Sequence, residues 1–171
     1  MALSHPVSFF IMAVIIRRIE LKDNPVLADL IRKVFREFNI DRPGTVYTDP
    51  TTDNLFKLFQ EEQSAYWVAE ENGTVLGGCG IYPTDGLPDG CAELVKFYLS
   101  GDSRGKGIGV LLLQVSINKA KELGYKQLYL ESFPELAKAV DMYKKAGFRK
   151  IKKPLGNSGH HACTIWMIKD L

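Results

Sequence analysis

Three glycines sit at alternate positions in the stretch SRGKGIG (103–109), with Arg104 before them and Lys106 among them. Glycine lets a backbone N–H approach a ligand that a Cβ would hold off. The apolar run that follows, GVLLLQVSINKAKELG (109–124), reads as a helix. A glycine loop opening a helix is an anion site, because free N–H groups and the positive end of the helix dipole both point at it. A phosphate or pyrophosphate is the expected guest. A second residue with chemical potential lies just upstream. Glu93 interrupts the apolar segment CAELVKFYL (91–99), where a carboxylate is costly unless it is hydrogen-bonded or has a task. Partial burial raises the pKa of such a group toward neutrality and suits it to accept a proton. Lys96 in the same segment is expected to face water, as a sign that the strand tolerates exposed charge.

The common nucleotide loops do not fit. A Walker A loop needs Gly-Lys-Ser/Thr, and Lys106 is followed by Gly107, so no hydroxyl is placed for Mg²⁺. A Rossmann fingerprint needs G-x-G-x-x-G after the first strand, whereas Gly105, Gly107 and Gly109 give G-x-G-x-G after the fourth.

The elements that must position these residues can be read from periodicity and punctuation. AVIIRRIEL is a first strand. Asn24 caps a helix with Pro25 at its first position, along which Leu27, Leu30, Ile31, Val34, Phe35 and Phe38 recur at helical spacing. A long polar loop, NIDRPGTVYTDPTTD, precedes a short helix, NLFKLFQEE. SAYWVAE and TVLGGCGIYP are strands joined by a Glu71-Asn72-Gly73 turn, which also accounts for the Asn-Gly-Thr glycosylation pattern there. The segment 91–100 is a strand. The helix after the glycine loop shows Val110, Leu113, Ile117 and Ala120 on its apolar face, widened by Leu112 and Val115. KQLYLES, a helix ending at Gly147 and two closing strands near 149–154 and 162–169 follow. The order is β-α-α-β-β-β-α-β-α-β-β, with no internal repeat or linker.

In that setting R-x-x-G-x-G, Arg104 to Gly109, lies between a strand and a helix. Here the chain resembles the GNAT superfamily of N-acetyltransferases. KFYLSGDSRGKGIGVLLLQ looks like its strand–loop–helix core, ESFPELAKAVDMYKKAGF like its next unit, and IIRRIELKDNPVLADLI like its opening. The resemblance runs from about Val14 to the C-terminus. It implies an α/β (α+β) fold, a mixed, mostly antiparallel sheet of about seven strands flanked by helices, and acetyl-CoA as cosubstrate. It also implies that Arg104, Gly105, Lys106, Gly107, Ile108 and Gly109 cradle the pyrophosphate. Phe97, Tyr98 and Leu99 would offer free strand-edge groups to the pantetheine arm, with an oxyanion donor near Leu99. Glu93 matches a position where the family often carries the base. Tyr143, in AVDMYKKAGF, matches its usual acid and is protonated at neutral pH. The family's frequent asparagine seven residues earlier is Leu136 here, so Ser132 is the expected substitute for that cofactor contact.

The implied reaction is direct transfer of acetyl from acetyl-CoA to a primary amine; an amino acid, a polyamine, an aminoglycoside and a protein amine all fit, and the low-charge composition favours a small molecule. A CoA-binding sensor without turnover and an unrelated phosphonucleotide binder are the competing functions. The acceptor is expected between the 39–53 loop, with Asp41, Arg42, Tyr47, Asp49 and Asp53, and the segments 82–90 and 156–161. Aspartates suit a cationic amine, and Arg42 an acceptor that also bears a carboxylate. His160 and His161 are expected to be a turn and a strand residue. Cys91 is expected to be a small strand hydrophobe rather than a nucleophile.

With 171 residues, 46% of them hydrophobic and 25% charged, the chain suits one globular domain. A net charge of +2 with no basic tail gives no reason to expect nucleic acid. Cys79, Cys91 and Cys163, odd in number and without CxxC spacing, suggest reduced thiols, no metal and a cytoplasmic location. The apolar stretch before Val14 is too short to span a bilayer, so no membrane is expected. Residues 1–12 read as an extension, 13–171 as the acetyltransferase domain, and a homodimer is compatible with it.

Overall fold

The computed structural model describes residues 13–171. The extension expected at 1–12 lies outside the described residues. Seven strands form one sheet: β1 (Ile15–Arg18), β2 (Ala65–Glu71), β3 (Thr74–Tyr82), β4 (Cys91–Leu99), β5 (Gln127–Ser132), β6 (Arg149–Ile151) and β7 (Ile165–Asp170). Their spatial order is β1-β2-β3-β4-β5-β7-β6. Every neighbouring pair is antiparallel except β4 with β5. The element order and the mixed, mostly antiparallel sheet agree with the expectation from sequence.

Helices cover both faces. α1 (Asn24–Glu37) and the one-turn α2 (Leu55–Leu58) close one face over Leu27, Ile31, Phe35, Tyr66 and Val68. α3 (Ile108–Glu122) and α4 (Ala137–Lys145) close the other over Ala92, Leu94, Leu128 and Leu130. The β2–β3 hairpin turns through Asn72 (φ 51°) and Gly73 (φ 77°), both left-handed, the conformation that matches strand twist in a two-residue hairpin.

Two local readings change. Asn24 does not cap α1. Its amide leaves the helix end, accepting from the Phe56 N–H (2.8 Å) and donating to Asn54 (3.1 Å), so it ties α1 to the next segment. On α3 the buried stripe is Leu112, Leu113, Ser116, Ile117 and Ala120, while Val110 is 58% exposed. The helix starts at Ile108, one residue before the apolar run read from the sequence. Among the described residues no helix is long and apolar enough to cross a membrane.

Candidate active site

The parallel pairing of β4 with β5 holds only for Cys91, Ala92 and Glu93 against Gln127, Leu128 and Tyr129. Beyond Glu93 the two strands diverge, β4 continuing beside β3 and β5 beside β7. The gap is a cleft whose walls include Glu93, Phe97, Tyr98, Glu131, Ser132 and Tyr143. Leu136 lines it too, where the resemblance led us to look for an asparagine. The backbone of 97–99 thus lies past the last β4–β5 pair, and an extended ligand can add there as a strand would.

At the end of β4 the chain enters the glycine loop. Gly105 (φ 75°) and Gly107 (φ 80°) adopt left-handed conformations, and α3 starts at Ile108 immediately afterwards. A Cβ built on either glycine meets no atom within 4 Å, so the hollow above the loop is open. Among the described residues no backbone carbonyl outside regular elements takes the N–H of Gly105, Lys106 or Gly107. This is the arrangement an anion needs. Gly109 is packed instead: a Cβ added there would lie 3.2 Å from a methyl of Leu99.

Arg104 plays a different part from its neighbours. Its backbone N–H donates to the Gly101 carbonyl (3.3 Å) and so is not free for the cradle. Its guanidinium makes a two-pronged bond to Glu37 at the end of α1 (2.6 and 3.0 Å). The same group donates to the Leu99 carbonyl (3.2 and 3.0 Å) and lies over the Phe38 ring. The arginine therefore staples the end of β4, the loop and α1 together. Lys106 is exposed and forms no ion pair among the described residues.

Glu93 is 4% exposed and accepts a hydrogen bond from the Thr84 hydroxyl at 2.5 Å. Burial pushes its carboxyl up to about 7; the Thr84 bond opposes this, the charge of Glu131 adds to it, and His160 and Lys96 oppose it. Glu93 therefore loses its proton near neutrality. Replacing the donor, Thr84→Val, removes one stabiliser of the carboxylate. Its ionisation is expected to move up by about one pH unit, the worth of one hydrogen bond to a charge. The pH profile of the acetyl-transfer rate measures this, and an unmoved limb would separate Thr84 from Glu93.

Tyr143 reaches the cleft from the other face of the sheet, on α4, against Phe97 (ring centroids 6.1 Å apart) and Phe148 (5.9 Å). Burial raises its phenol well above the usual value, so it remains a proton donor across the physiological range. Cys91, pushed up to about 11 by burial, and Cys163, to about 12, stay as thiols. That leaves neither as an attacking thiolate at neutral pH.

The expectation for Lys96 is overturned: it is 5% exposed. β4 carries a bulge here, since Gly78 faces Tyr98 while Gly80 faces Val95. Lys96 itself is left-handed (φ 50°), which costs on the order of 1–3 kcal/mol for a residue with a side chain. Before the bulge Ala92 and Leu94 point to the α3–α4 face; after it Phe97 and Leu99 do. The bulge thereby turns Lys96 away from that apolar face to the opposite side. There its Nζ meets Asp49 (2.9 Å) and Thr52 (3.5 Å). Alternation along the strand gave no sign of it, and its partners lie more than forty residues away in sequence.

The segments expected to build the acceptor side do converge over Glu93. Asn157 N–H donates to the Asp85 carbonyl (2.7 Å) and Ala162 N–H to the Gly44 carbonyl (3.1 Å). Their charges, however, are largely committed. Asp53 is held by Arg32 (2.6 and 2.8 Å), and Arg42 lies over Phe133 and 3.8 Å from Glu135. Tyr47 packs on Phe35, and Asp49 accepts from Thr51, Lys96 and His160. Glu131 was missed by sequence reasoning, because KQLYLES alternates like a strand with a solvated face. In the fold it follows Tyr129 on the diverging strand and lines the cleft, and burial raises its carboxyl.

A mixed seven-stranded sheet opened between its one parallel pair, with a glycine loop leading into a helix at the mouth, defines an acyl-CoA N-acyltransferase fold. Residues 30–148 match the Acetyltransferase (GNAT) family. The uncharacterized N-acetyltransferase YjgM of Escherichia coli (strain K12) is 37% identical over 158 residues, 92% of this chain and 95% of that one. An acetyltransferase of the GNAT family from Staphylococcus aureus Mu50 superposes with a TM-score of 0.83 at 22% identity, over 93% of this chain and 99% of its own. The PaiA N-acetyltransferase of Thermoplasma acidophilum, solved with coenzyme A, superposes at 0.73 with 18% identity, over 94% and 100%. The chain belongs to the GNAT family of acetyltransferases. It is an acetyl-CoA-dependent acetyltransferase.

Proposed function

We propose that residues 13–171 form a single catalytic domain that transfers acetyl from acetyl-CoA to a primary amine of a small-molecule acceptor, by direct attack within a ternary complex. The observation that carries this reading is the placement of Glu93 and Tyr143 on one cleft, approached from opposite faces of the sheet. The free N–H groups of 105–109 hold the pyrophosphate, and the edge of β4 at Phe97, Tyr98 and Leu99, which has no β5 partner, takes the pantetheine arm. Ser132, buried on the facing strand, lines the path of that arm. Glu93 removes a proton from the incoming ammonium, directly or through a water. The amine nitrogen then bonds to the thioester carbon, a backbone N–H near Leu99 steadies the oxyanion, and the C–S bond breaks. As the C–S bond breaks, the nitrogen sheds its second proton to water, and Tyr143 gives its proton to the departing sulfur and recovers one from solvent. No covalent enzyme intermediate is needed, since the thioester is already activated and the cleft holds both reactants side by side. Glu93 and Glu131 make the acceptor end of the cleft acidic, which favours a cationic amine.

Calorimetric titration with acetyl-CoA, CoA and ATP, followed by thiol release with butylamine, 1,4-diaminobutane and glycinamide, tests this reading. CoA binding without ATP binding, and turnover with an amine, are expected. CoA binding without turnover on any amine would favour the sensor reading instead. Tyr143→Phe is expected to lower kcat by about a hundredfold, at the lower end of general acid catalysis, with the Kd for CoA nearly unchanged. An unaltered kcat would assign the phenol to packing.

A further inference from the structure

The acceptor side of the cleft is closed by two segments that come from distant parts of the chain, and one buried cation joins them to the strand bearing Glu93. Lys96 donates to Asp49 Oδ2 at 2.9 Å, and His160 Nε2 lies 2.8 Å from the same oxygen. Asp49 Oδ1 accepts from the backbone N–H and hydroxyl of Thr51 (2.9 and 2.7 Å), so both carboxylate oxygens are occupied. Burial alone would raise the Asp49 carboxyl, but the His160 bond and the Lys96 charge outweigh it and hold it well below the usual carboxylate range. The three side chains are 4%, 18% and 15% exposed. Asp49 belongs to the segment after α1, and His160 to the loop between β6 and β7. His160 also lines the cleft beside Glu93.

A lysine buried at a left-handed bulge is an expensive way to fill space. Its ammonium is desolvated, and a well-packed apolar side chain would serve stability as well. The arrangement makes sense as a fastening. Each segment is anchored elsewhere by backbone bonds, and the Asp49 carboxylate meets β4 and the 156–163 loop at once.

We infer that Lys96 is a positioning residue for the acceptor: through Asp49 it holds His160 and both walls of the acceptor approach in register with Glu93. This rests on the acetyl-transfer reading for what passes between the walls, but the fastening itself can be measured without any substrate.

The experiment compares Lys96→Met, Asp49→Asn and Lys96→Arg with the parent protein by amide hydrogen exchange, CoA calorimetry and steady-state kinetics with the three amines named above. Lys96→Met and Asp49→Asn are expected to speed exchange in 158–163, including the Ala162 amide bonded to Gly44, by about tenfold, the worth of one charge-assisted hydrogen bond. The amine KM rises by about the same factor, while the Kd for CoA stays within about twofold. Lys96→Arg, which keeps the charge, restores both. Lys96→Met also moves the acid limb of the rate profile to higher pH, since a cation that favours the Glu93 carboxylate is gone. The other groups facing Glu93, namely Thr84, Glu131, Cys91, Tyr129 and His160, are left in place.

Parent-like exchange in 158–163 and a parent-like amine KM in either folded variant would overturn the inference. Should Lys96→Met fail to fold, Asp49→Asn, which keeps the bonds to Thr51, carries the test. Should the parent turn over none of the amines, the small-amine acceptor of the proposed function fails, and the exchange data alone decide whether the fastening exists.

Discussion

Glu93→Gln is expected to lower kcat by about 10²- to 10⁴-fold, the range for loss of a general base. The substitution keeps the shape of the side chain and removes its ability to take a proton. The pH dependence provides a sharper readout than the rate alone. Burial places the Glu93 carboxyl at about 7, and only its ionised form can accept the proton. The parent rate with saturating acetyl-CoA should therefore climb as pH rises through about 7 and level off above it. In Glu93→Gln that limb should vanish, leaving a low, flat profile. A retained limb would move the proton acceptor elsewhere, with Glu131 another carboxylate on the same cleft.

The second large effect belongs to the loop. Gly107→Val should weaken CoA binding by more than about a hundredfold, because two charge-assisted hydrogen bonds to phosphate are worth about 3 kcal/mol together. Space within the protein is not the obstacle, since an added Cβ on Gly107 meets no atom within 4 Å. Two other causes apply. The left-handed backbone (φ 80°) costs an L residue about 1–2 kcal/mol, and more for a β-branched one, so the loop would shift. A side chain there would also project from the loop that is to receive the pyrophosphate. Calorimetry with CoA measures the loss, and parent-like affinity would return the loop to an unassigned anion site.

The parts of this protein that were legible in its sequence are those governed by local rules. Strand and helix order follows from periodicity, the hairpin from Asn72-Gly73, and the loop from glycine spacing. Glu93 stood out because a carboxylate in an apolar run needs a reason. What escaped was set by long-range geometry. A lysine in a strand looks solvated unless one knows that the strand bulges, and a left-handed lysine leaves no trace in the sequence. Glu131 looked like the wet face of an alternating strand, and only the divergence of β5 from β4 turns that face into a wall. Arg104 looked like a phosphate ligand because it is cationic and belongs to the motif. Its bonds to Glu37 and Leu99, which sequence alone does not show, also make it a brace for the loop.

The split in the sheet also bears on how copies of this protein avoid sticking together. A long strand with unpaired N–H and C=O groups is a template on which another chain can polymerise. The two outer edges here are short, four residues in β1 and three in β6, and offer little length for such growth. The longer edge without a strand partner is the stretch of β4 past Glu93, and it lies inside the molecule, walled by β5 and by α4. A polypeptide laid there would have to seat its side chains against Glu131, Ser132 and Tyr143 on the cleft walls, whereas a thin, unbranched arm would not. An adhesive edge set inside a cleft is open only to guests that fit between its walls.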